Sequence, residues 1–365
     1  MNRLTNAAKY AAIIMSLIVT VTMVSGCKKN NTDVSSELNK SDIEETSQDM
    51  TGSGIEDSDA GSQSAEETAE TESTEQTESD FEENTEQIET DAGQEETQNP
   101  YIRQKEPYTG VPVYENLEHI YMNTTWEYAD HSAISDGYAV LYKASGQRKN
   151  IVVGVNAGHG TAGGSAVRTL CHPDGSLKST GGSTAAGAAT ATAVSGGMTF
   201  YDGTPESEVT LKMAEILRDK LLLEGYDVLM IRDSSDVQLD NVARTVICNN
   251  VADCHISLHW DGDGLSYDKG CFYIAVPDAI KNMSPVVDHW QQHDSLGALL
   301  VDGLRGQGAK IHGSGSMTID LTQTSYSTVP SVDMELGNAS SDHSDETLEM
   351  LANGLVNGVG TFFGY

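Results

Sequence analysis

Two histidines and two glutamates carry most of the chemical potential in this sequence: His159, His259, Glu206 and Glu335. His159 follows a β-branched run at 151–156 (IVVGVN), inside Ala157-Gly158-His159-Gly160. His259 follows the run 253–258 (DCHISL), Glu335 lies near the end of 331–336 (SVDMEL), and Glu206 opens a helical pattern. Two imidazoles and a carboxylate suit a catalytic zinc ion, which takes about three protein ligands and keeps a position open for water. Such a metal lowers the pKa of water towards neutrality. A separate carboxylate then takes the water's proton and passes it to a leaving nitrogen. On this reading His159, Glu206 and His259 are the ligands and Glu335 is the shuttle. Each residue also has a plainer reading. A histidine after a strand is commonly structural, and a glutamate in a first helical turn complements the helix dipole. The apolar neighbours Val332, Met334 and Leu336 make an unpaired carboxylate at Glu335 costly. Asp333 shares its face of the strand, as a structural partner or an alternative acid.

The surrounding elements decide whether these groups can meet. Thr204 is a suitable helix cap, Pro205 suits the first helical position, and Glu206 and Glu208 fit the first turn. Val209, Met213, Ile216, Leu217 and Leu221 then recur at helical spacing up to Glu224-Gly225. Further strands are expected at 137–143, 227–232 and 271–276, and further helices at 239–250, 295–305 and 345–363. Strands alternating with helices predict an α/β fold: a mostly parallel sheet with helices on both faces, in a single catalytic domain over 151–365. Ligands of such folds gather beyond the carboxyl ends of the strands, where all four groups can converge. Residues 161–203, rich in Gly, Ala, Thr and Ser, form an insertion expected to lie over a surface. Residues 101–150 precede the domain as an N-terminal extension. Among the remaining histidines, His255 shares a strand face with His259 and is expected to pack in the core. Trp260 has two readings, stacking on a sugar or packing at the rim.

The rest of the chain bears on location. Arg3 and Lys9 precede an apolar run from Ala11 to Val24, which ends in Val24-Ser25-Gly26-Cys27. That is the plan of a secretory signal, and the last four residues resemble the lipobox of bacterial lipoproteins. The resemblance implies a signal over 1–27, lipid on Cys27, and an extracytoplasmic protein held to the membrane by that anchor alone. Residues 28–100 are rich in Glu, Thr, Ser, Gln and Asp, a composition that cannot repay the entropy of folding and predicts a disordered acidic linker. The whole chain has 55 acidic against 21 basic residues, a net charge of −34, which disfavours nucleic acid as a partner. Four cysteines remain, Cys171, Cys248, Cys254 and Cys271, and an even number permits disulfides without requiring them.

Six blocks, in order over about 150–365, resemble the zinc-dependent N-acetylmuramoyl-L-alanine amidase family. They are Val155-Asn156-Ala157-Gly158-His159-Gly160; Glu206-Ser207-Glu208-Val209-Thr210-Leu211; Gly225 through Arg232-Asp233; a helix with Arg244; Ala252-Asp253 through His259; and Pro330 through Glu335-Leu336-Gly337. The resemblance implies that His159, Glu206 and His259 bind zinc, with Glu206 favoured over Glu208, and that Glu335 is the catalytic acid/base. The bond cut would be the amide joining N-acetylmuramic acid to L-alanine in peptidoglycan. Departures from the family's pattern occur at Asn156-Ala157, Trp260-Asp261, Asn338 and Thr322-Gln323-Thr324. Two other readings share this sequence: a zinc peptidase or deacetylase acting on other wall bonds, and a non-catalytic wall-binding lipoprotein of the same fold.

Overall fold

The computed structural model describes residues 114–365; the expected signal, Cys27, the acidic linker and the first part of the extension lie outside the described residues. An eight-stranded sheet runs through the middle in the order β1-β2-β6-β3-β7-β10-β8-β9. Its strands are β1 (Tyr114–Tyr121), β2 (Tyr138–Ala144), β3 (Val152–Ala157), β6 (Asp227–Met230), β7 (Cys254–Asp261), β8 (Cys271–Ala275), β9 (Ile311–Thr318) and β10 (Ser331–Asn338). The central four, β6-β3-β7-β10, are all parallel, and antiparallel pairs occur only towards the two edges. Near-continuous burial of β3 and β6 accounts for their apolar runs, since a parallel strand is covered on both faces. The extension at 114–144 supplies β1 and β2, which continue the sheet from β6.

Five helices cover the sheet: α1 (Glu206–Leu223), α2 (Asn241–Val251), α3 (Val286–Gly306), α4 (Thr322–Tyr326) and α5 (Asp345–Phe363). Leu141 and Leu229 pack with Ala243 and Ile247 of α2 on one face. On the other face α5 packs against both α1 and α3. Three expectations need correction. Thr204 does not cap α1; Pro205 holds the cap position without a side-chain bond. The Glu206 amide donates instead to the Met198 carbonyl at 3.0 Å, which ties the start of α1 to the insertion. β7 continues through His259 to Asp261, so His259 sits within the strand rather than after it. Finally, α3 begins nine residues before the expected 295, because 286–294 also buries Val286 and His293.

The insertion contains a short antiparallel pair, β4 (Arg168–Leu170) with β5 (Thr190–Thr192), and a 3-10 turn at Gly164–Ala166. All four cysteines within the described residues are free and buried.

Helices α3 and α5 approach too closely for side chains at the crossing. A Cβ on Gly358 would stand 2.6 Å from the Leu300 Cα. Gly358→Val is expected to destabilise the domain by roughly 1–3 kcal/mol through forced separation of the two helices. Urea unfolding checks this, and an unchanged midpoint would show that the crossing yields freely.

Candidate metal centre

Two buried arginines build the loop that carries His159. Arg232, just past β6, donates to the carbonyls of Ala157 (3.2 Å), Gly158 (3.0 Å) and Ser207 (2.8 Å). Arg244 of α2 donates to the carbonyls of Leu239 (3.0 Å), Ala157 (3.2 Å) and His159 (2.6 Å), and to Asn156 Oδ1 at 3.1 Å. Neither guanidinium pairs with a carboxylate among the described residues. Burial pulls their pKa values down, to about 10 for Arg232 and about 9 for Arg244. Backbone dipoles therefore carry the compensation for both charges. The clamp holds His159 at φ 64°, a left-handed conformation rare for a residue with a Cβ.

That conformation aims the imidazole at Glu206 and His259. His159 Nε2 lies 2.9 Å from Glu206 Oε1 and 3.1 Å from His259 Nδ1, and His259 Nδ1 lies 3.2 Å from Glu206 Oε1. One ligand atom from each of these residues falls within 4.8 Å of the others. Glu208, the other acid in the first turn of α1, is exposed and is not part of this cluster. Contacts at the far side of each group fix its orientation. His159 Nδ1 donates to the Ser195 carbonyl at 2.9 Å, which leaves Nε2 of the neutral ring as a lone pair. Glu206 accepts the Trp260 amide at Oε1 (3.0 Å) and the Met198 amide at Oε2 (2.9 Å). The back nitrogen of His259 faces Asp333 Oδ2 at 3.9 Å.

Close approach also dictates two glycines. A Cβ at Gly158 would stand 2.3 Å from the His259 ring, and one at Gly197 would stand 2.9 Å from both Glu206 Oε2 and His159 Cδ2. Ser195, Gly197 and Met198 all belong to the insertion. It thus packs directly on the three groups, a role that composition alone did not reveal. The departures from the family pattern are also accounted for by local bonds. Asn156 joins Arg244 to Ser257, which donates to Gln323 at 2.6 Å. Asp261 pairs with Lys269, and Asn338 donates to Asp263 at 3.0 Å. Trp260 is 2% exposed and its ring packs edge-on against Phe200, in keeping with the packing reading of that residue. His255 is fully buried near Ser331, as its packing reading expects.

Glu335 lies directly opposite His259 in the parallel register of β7 and β10. It opens, with Asp333, onto a cavity of about 640 Å³ that also contains the three-residue cluster. Asp333 Oδ1 and Glu335 Oε2 are buried and find no hydrogen-bond partner among the described residues. Burial, reinforced by the Asp333 carboxylate, pushes Glu335 well above the usual carboxylate range. Burial raises Asp333 too, against the attraction of His259. Glu206 behaves oppositely: burial would raise it, but hydrogen bonds from His159 and His259 hold it well below the usual range. Two kinds of carboxylate result, one held anionic by its imidazole partners and one with a raised affinity for a proton.

Two imidazole nitrogens and a carboxylate oxygen are a zinc donor set. In a tetrahedral site with bonds of about 2.0–2.1 Å, ligand atoms stand roughly 3.3 Å apart. The observed separations of 2.9–3.2 Å are close to that. A lone pair at His159 Nε2 facing a carboxylate oxygen also demands a proton or a cation between them. The residues fit the ion.

The profile of the N-acetylmuramoyl-L-alanine amidase family matches residues 153–354. The chain belongs to this family of hydrolases, which cut the amide between N-acetylmuramic acid and L-alanine in peptidoglycan. Among solved structures it is similar to the N-acetylmuramyl-L-alanine amidase Ami1 from Mycobacterium smegmatis, at 19% identity over 60% of this chain and 99% of that one, with a TM-score of 0.49. The apo Ami1 from Mycobacterium abscessus is 21% identical over 58% and 98% of the two chains, with a TM-score of 0.47. AmiC2 of Nostoc punctiforme is 14% identical over 60% and 99%, with a TM-score of 0.43. No curated protein matches the sequence.

The His259 environment sets a pH response in the metal-free protein. Burial disfavours the imidazolium, but Asp333 and Glu206 outweigh it and raise the pKa from 6.5 to about 10. A raised pKa gives stability that is full below the unfolded value and is lost as pH rises through the folded one. Metal-free wild type is therefore expected to lose stability relative to His259→Ala between about pH 6.5 and about pH 10. Urea unfolding across that range tests it, and a constant difference would show that the ring gains nothing from its neighbours.

Proposed function

We propose that this amidase is zinc-dependent, with His159, Glu206 and His259 as the ligands and Glu335 as the proton shuttle. The observation that carries the reading is the convergence of those three side chains, with Glu335 facing the same cavity from the adjoining strand. Zinc held by these three residues would polarise the amide carbonyl and lower the pKa of the attacking water. Glu335 takes a proton from that water as its oxygen bonds to the lactyl carbonyl carbon. The same carboxyl then gives the proton to the alanine nitrogen as the C–N bond breaks. The products are a muramic carboxylate and a peptide with a free amino terminus. Burial raises the proton affinity of Glu335, which suits both halves of this sequence: the carboxylate draws the proton from the water and, once protonated, passes it to the poor amine leaving group. Ser195, Met198 and the Trp260 amide keep the ligands oriented throughout.

The cell-surface setting belongs to the same proposal. Among the described residues no helix is long and apolar enough to cross a membrane. Lipid on Cys27 would hold the enzyme at the outer face of the membrane, and the acidic stretch 28–100 would give it reach to the wall. Peptidoglycan is the substrate and the lipid the only membrane contact. The acidic charge disfavours nucleic acid.

Glu335→Gln is expected to lower release of sugar-free stem peptides from purified peptidoglycan by at least about 100-fold while zinc content stays at the wild-type level. Full activity in that variant would remove Glu335 from the chemistry. Glu206→Gln, in contrast, is expected to lose zinc on dialysis, read by metal analysis. Retention equal to wild type would move the carboxylate ligand elsewhere.

A further inference from the structure

The cavity beside the cluster is lined by four acids, Glu206, Asp261, Asp333 and Glu335, and by two cations, Arg244 and Lys178. Arg244 is wholly committed to the loop carbonyls described above. Lys178 is not committed in that way. It comes from the insertion, is 7% exposed, and among the described residues its ammonium donates only to the main-chain carbonyl of Asp320. The carboxylate of Asp320 is nearby but already engaged. It accepts from His172 Nε2 at 2.9 Å, the Ser179 amide at 2.6 Å and Ser179 Oγ at 2.9 Å. Among the described residues Lys178 forms no ion pair. An ammonium has three donors, and burying one against a single neutral acceptor is costly. Burial also pulls the pKa of this lysine down, against the pull of Asp320.

The wall that carries Lys178 is built from Gly182, Ser183 and Thr184 together with Ile319 and Leu321. It contributes no acid to the cavity. An anionic group entering the cavity is attracted to the ammonium of Lys178 and meets no carboxylate on this wall to oppose it. The sugar side of the scissile amide carries no charge, because the lactyl carboxyl is consumed in the amide itself. A substrate anion must therefore come from the peptide side.

We infer that Lys178 is a specificity-determining residue that binds a free carboxylate of the stem peptide. This deepens the proposed function and rests on it. The enzyme then prefers stem peptides whose residue after L-alanine carries a free carboxyl over those in which that group is a carboxamide. A charge-assisted hydrogen bond in a desolvated site is worth roughly tenfold or more in affinity.

Two synthetic muropeptides test this, identical except for a free carboxyl or a carboxamide on the residue after L-alanine. Their dissociation constants are measured by calorimetry on the full chain carrying Glu335→Gln, so that neither compound is consumed. The carboxylate form is expected to bind at least about tenfold more tightly. Adding Lys178→Met is expected to bring the two affinities together by weakening the carboxylate form alone. Equal affinities with Lys178 present, no binding of the carboxylate form, or a preference that survives Lys178→Met would each overturn the assignment. The first two comparisons need no change at position 178, so they stand even if Lys178→Met fails to fold. Wild-type enzyme is assayed on the same pair. If it cleaves neither while the binding preference persists, the proposed reaction fails and the carboxylate site stands.

Discussion

The site depends on two buried guanidinium groups that have no carboxylate counter-ion among the described residues. Arg232 and Arg244 direct their donors at the carbonyls around residues 157–159. An isolated buried charge is costly, and here the cost is offset by several hydrogen bonds that all land on one short loop. The loop, in return, cannot relax to a commoner backbone conformation without leaving both charges unsatisfied. His159 keeps its positive φ for that reason. The fit between Gly158 and the His259 ring then transmits the same constraint to β7.

A second layer of support comes from the insertion, which is wired to the domain at two places. At one end Ser195 and Met198 hold His159 and Glu206 from behind. At the other end Asp320, between β9 and α4, gathers His172, Ser179 and Thr180 in a buried network. Burial alone would raise the Asp320 carboxyl, but the bonds from His172 and Ser179 hold it low and anionic. The insertion is therefore a wall of the cavity and an orienting shell for the cluster at once.

Much of this was legible in the sequence. The apolar runs before His159 and around Glu335, and the helical spacing after Glu206, placed the four groups at one rim of an α/β sheet. Glu206 was separable from Glu208 only by its place in the family's motif; the structure adds that Glu208 is exposed. What stayed hidden was whatever depends on contacts between distant segments. Thr204 has the chemistry of a cap, yet the bridge from Thr199 to Pro205 and the Met198 bond occupy that corner instead. β9 was missed because its Gly and Ser residues (IHGSGSMT) carry no apolar alternation, and it forms as a strand through pairing with β8. Ser195 and Met198 lie in a stretch whose composition reads as a loop, and nothing local marks them as partners of His159 and Glu206.

The four cysteines lead to a different kind of consequence. Each is free and enclosed, and burial raises the thiol pKa at every one of them. Only the thiolate attacks a disulfide or an oxidant, so these sulfurs are withdrawn from exchange chemistry by the packing around them. The domain can reach its native state without an oxidoreductase and keep it in air or under reducing conditions.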